Sequence, residues 1–188
     1  MSSLRDRIRM LEEDLTAPEL RISAYHDMPF AIFHYDPGDE LDMRTEIASL
    51  ATRLRHDYGR EVIEISLADL MFEALEKEVG LDRLFDGEIS DGLERTVDTV
   101  HNVLTDLQPL DELIAERLKD KDPKTTVVIL GRTEALFPAF RTSALLENMR
   151  GKIRIPTILL YPGALEGTVG LRFMGVCEAE HNYRPKIY

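Results

Sequence analysis

Leu4, Ile8, Leu11 and Leu15 recur at the i, i+4, i+7, i+11 spacing that places them on one face of a helix. Ser3 with Asp6 three residues on forms a capping box, in which a hydroxyl and a carboxylate each satisfy a backbone N–H of the first turn. Thr16-Ala17-Pro18 ends this helix, since proline cannot continue it. The period then changes. Phe30-Ala31-Ile32-Phe33-His34-Tyr35 is a short β-prone apolar run between Pro29 and Asp36-Pro37-Gly38, and it predicts a buried strand. Pro37 suits the first helical position behind Asp36, and Met43, Ile47, Leu50 and Leu54 mark a second helix closed by Gly59. A second strand follows at 62–67. Ser66 with Asp69 caps the next helix, which Leu70, Met71, Ala74, Leu75 and Val79 carry to Gly80.

From 81 to 121 the period is helical throughout. Leu93, Val97, Val100 and Leu104 form one stripe, and Leu110, Leu113, Ile114 and Leu118 another behind Pro109; both are expected in the core. Further strands are predicted at 125–130, 157–161 and 171–176, with a helix at 138–149. Strands alternating with helices specify an α/β fold: a mainly parallel sheet of about five strands covered by helices on both faces. No repeat, low-complexity tract or linker interrupts it, so residues 1–188 are read as a single domain with a helical insertion at about 81–121.

Composition narrows the setting. No apolar run approaches the ~20 residues of a membrane span, and the charged opening stretch is not a signal peptide. The single cysteine, Cys177, excludes an internal disulfide and suits a reducing compartment, so a cytoplasmic location is expected. The net charge of −12 repels phosphodiester backbones, which argues against strong direct nucleic-acid binding. The charge is uneven: residues 1–130 hold 15 Lys and Arg against 30 Asp and Glu, whereas 131–188 hold 8 against 5. The last third therefore reads as a basic surface for an acidic protein partner.

Tests for chemistry return little. A phosphate loop needs a row of backbone N–H groups and usually a lysine. The turn Asp36-Pro37-Gly38-Asp39-Glu40 has no lysine, lacks one N–H at Pro37 and sets carboxylates where the anion would lie. Asp36, Asp39, Glu40 and Asp42 could instead hold a hard cation such as Mg²⁺, although acids are ordinary in a first helical turn. Glu61 and Glu64 lack the lysine that a restriction-type nuclease places after its acids, and Ser66 is better explained as a helix cap than as a nucleophile. His26, His34, His56, His101 and His181 show no metal-ligand spacing and are expected at the surface or at strand ends. No cofactor and no recognisable catalytic centre are implied. The loops after the third and fourth strands, Gly131-Arg132-Thr133-Glu134 and residues 161–167, lie where open sheets bind ligands.

Residues 137–148 (Phe-Pro-Ala-Phe-Arg-Thr-Ser-Ala-Leu-Leu-Glu-Asn), Pro156 to Gly163, Leu171-Arg172-Phe173-Met174-Gly175 and Asn182-Tyr183-Arg184, in that order and spacing, resemble the BrxB family of BREX (bacteriophage exclusion) systems. The resemblance implies a part in bacterial anti-phage defence beside a DNA methyltransferase, a large ATPase and the alkaline-phosphatase-like PglZ, with PglZ as direct partner. It also implies a sandwich like that of P-loop ATPases without the nucleotide loop. The leading expectation is a non-enzymatic assembly component whose partner surface comprises Arg132, Arg141, Tyr161, Pro162, Gly163, Asn182, Tyr183 and Arg184. Two alternatives stay open: a metal-dependent phosphodiesterase or nucleotide-binding protein using Asp36, Asp39 and Glu40, and a nucleic-acid adaptor using the basic last third. Oligomeric state is not legible.

Overall fold

The computed structural model describes residues 3–19, 21–22, 28–167, 170–180 and 185–188. Helix α1 (Leu4–Thr16) starts at the capping box, with both reciprocal bonds between Ser3 and Asp6 formed. Strand β1 (Phe30–Tyr35) leads through a single 3₁₀ turn, Pro37–Asp39, into α2 (Glu40–His56). Then follow β2 (Glu61–Ser66), α3 (Leu67–Glu78), α4 (Leu81–Asp91), α5 (Leu93–Asn102), a π turn at Val103–Leu107 and α6 (Leu110–Leu118). Beyond these come β3 (Thr126–Gly131), a 3₁₀ turn at Thr133–Leu136, α7 (Thr142–Met149), β4 (Thr157–Glu166), β5 (Gly170–Phe173) and β6 (Lys186–Ile187).

The sheet runs β2-β3-β4-β1-β6 with every neighbouring pair parallel, and β5 joins the end of β4 antiparallel. Covered on both sides, its central strands are continuously apolar rather than alternating. Phe30 and Ile32, Val128 and Leu130, and Leu159 and Tyr161 face a core built with α3, α6 and α7. Ala31 and Phe33, Val127 and Ile129, and Ile158 face a second core under α1 and α2. Edge strand β2 carries its charges in pairs, Glu61 with Lys121 at 2.6 Å and Glu64 with Arg55 at 2.9 Å, which blunts the edge against further pairing.

Four expectations change. The helix predicted at 138–149 begins only at Thr142, because residues 137–139 form a turn and Arg141 is extended (φ −90°, ψ 134°), which puts the N-cap there. Strand four does not stop at Tyr161: it continues to Glu166, so the expected recognition loop at 161–167 is mostly strand, paired through Gly163 opposite Phe173 and Leu165 opposite Leu171. Strand five ends at Phe173 in a turn, with Met174 and Gly175 at positive φ. Finally, β6 had no signal in the pattern, being two residues held by pairing with β1 and by Lys186 and Tyr188 on Asp14.

The chain leaves β1 over the α2 face, whereas β3 is followed by α7 on the opposite face. Loops that diverge in this way open a crevice at the carboxyl ends of the strands.

Candidate functional site

That crevice is a cleft of about 360 Å³ lined by Tyr35 from β1, Glu40 and Arg44 from α2, Ser66 and Asp69 at the start of α3, and Gly131 and Arg132 after β3. On one wall the Tyr35 hydroxyl donates to Glu40 Oε2 at 2.5 Å and Arg44 Nε donates to Glu40 Oε1 at 2.7 Å. Burial, reinforced by the Glu40 carboxylate, pushes the Tyr35 phenol far up, so it stays a proton donor. Arg132 adopts left-handed backbone (φ 60°, ψ 37°), unusual for a residue with a side chain and costing on the order of 1 kcal/mol. It is held there because buried Thr133 donates from Oγ1 to the Leu160 carbonyl at 2.8 Å, pinning the following 3₁₀ turn to β4.

Arg132 Nε donates to Glu134 Oε1 at 2.8 Å, while Glu134 Oε2 is buried with no hydrogen-bond partner among the described residues. Arg44 and Arg132 engage their acids through Nε alone. Their terminal nitrogens are therefore the donors this cleft offers to a carboxylate or a carbonyl.

The acidic turn is organised for its own backbone. Asp36 Oδ1 accepts from the Gly38 N–H at 2.8 Å, the donor an anion would need, and both oxygens of Glu40 are occupied. Among the described residues no group of three or more His, Cys, Asp or Glu side chains is placed to hold a metal ion. Ser66 accepts from the Asp69 N–H at 3.2 Å, the cap its position predicts. His34 is half-buried in β1, its pKa lowered by burial and by Arg7, and His101 Nδ1 lies 2.9 Å from the Ala139 carbonyl oxygen. His26 and His181 lie outside the described residues.

A second hollow of about 430 Å³ opens beside β4 and β5, lined by Phe137, Phe140, Arg141, Tyr161, Phe173 and Glu180 among others. Tyr161 and Phe173 meet edge to face with centroids 5.2 Å apart, and Phe137 lies 6.2 Å from Phe173. Arg141 is 80% exposed, with Nη1 3.9 Å from Glu180.

The predicted surface residues therefore part company. Arg132 and Arg141 are accessible but line different hollows. Tyr161 is buried at 1% exposure, its hydroxyl 3.4 Å from the Leu171 carbonyl, and it is a core residue. Pro162 and Gly163 are likewise buried within β4. Gly163 has no room for a side chain, since a Cβ there would sit 2.3 Å from the Arg172 carbonyl oxygen. Asn182, Tyr183 and Arg184 lie outside the described residues. Sequence reasoning missed Arg44, Phe137 and Phe173 as lining groups. For Arg44 a signal existed, because Glu40 and Arg44 stand at i and i+4 on a helix.

The basic last third is not a free basic face. Arg132 pairs with Glu134, Arg141 with Glu180, Arg150 with Glu147 and Arg172 with Glu166, while Lys152 and Lys186 reach back to Asp111 and Asp14 of the acidic part. The excess of cations in the sequence is largely consumed inside the fold. Among the described residues no helix is long and apolar enough to cross a membrane.

Residues 63–187 match the family model described as BREX protein BrxB. A protein from Bacillus cereus (strain H3081.97) described as BREX protein BrxB is 26% identical over 160 residues, covering 85% of this chain and 82% of that protein. No solved structure matches the chain at a significant level.

Proposed function

The chain belongs to the BrxB family of BREX proteins, and from that premise we propose that it is a non-enzymatic assembly component of a cytoplasmic anti-phage complex, acting by direct contact with PglZ. The observation that carries this reading is the state of the crevice where an α/β enzyme would keep its reacting groups. Tyr35, Glu40 and Arg44 are tied to one another, Arg132 is tied to Glu134, and Ser66 caps a helix. Each of these side chains already has a structural partner within the fold.

What supports a contact surface at the same end of the sheet is the second hollow. Phe137 is 49% exposed and lines the same hollow as Arg141, and aromatic residues and arginine are both enriched in protein interfaces. With Tyr161, Pro162 and Gly163 buried, the surface among the described residues contracts to Phe137, Arg141 and the Arg44–Arg132 cleft mouth.

The test is co-purification with PglZ from cells expressing the whole operon. Arg141→Glu should lower capture at least about tenfold while thermal stability stays within ~0.5 kcal/mol of the parent, as for other exposed positions. A folded Arg141→Glu variant that captures PglZ undiminished would remove this surface from the proposal. Loss of folding would make Arg141 a structural residue.

A further inference from the structure

Helices α4 and α5 bury almost nothing. Across α4 only Leu84 is buried, and across α5 no residue is. Helices of ten or eleven residues are marginal in water and are ordinarily held by packing an apolar face. These two have such a face, but it points outward: Phe85 is 51% exposed, Ile89 one turn on is 87% exposed, and Leu93 at the start of α5 is 63% exposed. The stripe then runs inward through half-buried Val97 and Val100 to buried Val103 and Leu104. Gly92 (φ 89°, ψ 168°) divides it, so that Phe85 and Ile89 lie one turn apart on α4 and Leu93 opens α5; the chain covers the inner end of α5 and leaves these three side chains exposed. Three large side chains so exposed within a short span of chain leave apolar surface on the scale, roughly a few hundred Å², at which patches on monomers are often functional.

The rim of this patch says what covers it. Residues 81–102 carry six acids, Asp82, Asp86, Glu88, Asp91, Glu94 and Asp98, against two arginines, Arg83 and Arg95. Among the described residues only Asp91 has a cationic partner, Arg95 at 3.7 Å. A second copy of the chain fits badly. A two-fold pairing would set this acidic rim against itself, and six of the eight cations of the last third, Arg132, Arg141, Arg150, Lys152, Arg172 and Lys186, are already in ion pairs.

We propose that the α4–α5 arm is a docking site for a basic amphipathic helix of a partner protein, whose apolar face covers Phe85, Ile89 and Leu93 while its Lys and Arg flanks meet the acids. This is the helix-on-groove mode of recognition, and it stands apart from the Arg141 surface and from the identity of the partner bound there.

The full-length protein is titrated against two synthetic helical peptides that share one leucine stripe, flanked by lysine and arginine in one and by glutamate in the other. The basic peptide should bind and the acidic one should not. Ile89→Asp and Leu93→Asp should each weaken the basic peptide about tenfold, with melting temperatures unchanged because both positions face water. These variants add negative charge, so attraction by charge alone would strengthen; a gain or no change in affinity overturns the proposal. Equal binding of the two peptides overturns it as well. So does a concentration-dependent dimer that Ile89→Asp abolishes, since the seam would then belong to a second copy.

Discussion

The carboxyl edge of the sheet and the α4–α5 arm are opposites in the same chain. At the edge, aromatic Tyr161 is enclosed by β5 and Arg132, Arg141 and Arg172 are matched to acids, one of which, Glu180, is distant in sequence. On the arm, apolar residues stand in water and, among the described residues, only Asp91 of the six acids meets a cation. Both regions attract attention in the sequence, one for its basic and aromatic residues and the other for its stripe. What separates them is whether the fold itself supplies the partner. An apolar or charged residue informs about binding only after its intramolecular contacts have been subtracted.

The contrast can be broken most forcefully at the edge. Tyr161→Ala should cost about 4 kcal/mol by removing a buried ring, which calorimetry would read as a fall of roughly 12 °C in melting temperature for a chain of this size. A fall below about 3 °C would mean that the ring is not core. Gly163→Ala comes next, at about 3 kcal/mol, because the added Cβ meets backbone at 2.3 Å and not a yielding side chain. Denaturant unfolding at an unchanged midpoint would refute the close approach of β4 and β5.

A smaller effect is expected where the chain end is tied down. Burial pushes the Asp14 carboxyl up, but hydrogen bonds from Lys186 and Tyr188 together outweigh that and hold it below the ordinary aspartate value. A depressed folded pKa means that the stabilisation is complete above the unfolded value of ~3.9 and is lost as pH falls through the folded one. Asp14→Asn should therefore cost about 1 kcal/mol at neutral pH, and the difference from the parent should shrink as both are acidified below about pH 4. A gap independent of pH would show that the carboxylate charge plays no part.

The smallest effects sharpen the comparison from the other side. Ile89→Asp should leave stability within ~0.5 kcal/mol, since the residue is already in water. A cost above ~2 kcal/mol would place it in a core and dissolve the contrast.

The elements whose signals are local were legible in the sequence. Capping residues and period located α1, α2, α3 and α6, and continuous apolar runs located β1, β3 and the first half of β4, because caps and covered strands are decided within a few residues. The acidic turn was also legible as hostile to phosphate: the Pro37 and Asp36 features that argued against a phosphate loop are local, and the Asp36 to Gly38 bond completes them. The cleft itself was only half visible. Arg132 and Glu40 stood out, and the residues that meet them, Glu134 and Tyr35, are near in sequence, but only strand order brings Arg132 to the same cleft as Tyr35 and Glu40.

The sequence alone thus determined the class of fold, a covered parallel sheet, and the family, since both follow from residue type and spacing along the chain. Only the tertiary structure decided that Tyr161 to Gly163 are strand and core, that β6 exists, that Arg141, Lys152 and Lys186 are spent on Glu180, Asp111 and Asp14, and that Leu93 lies outside. Each of these depends on a contact between residues remote in sequence or on the absence of one, and burial and pairing are properties of neighbours in space that a stripe or a charge count along the chain does not contain.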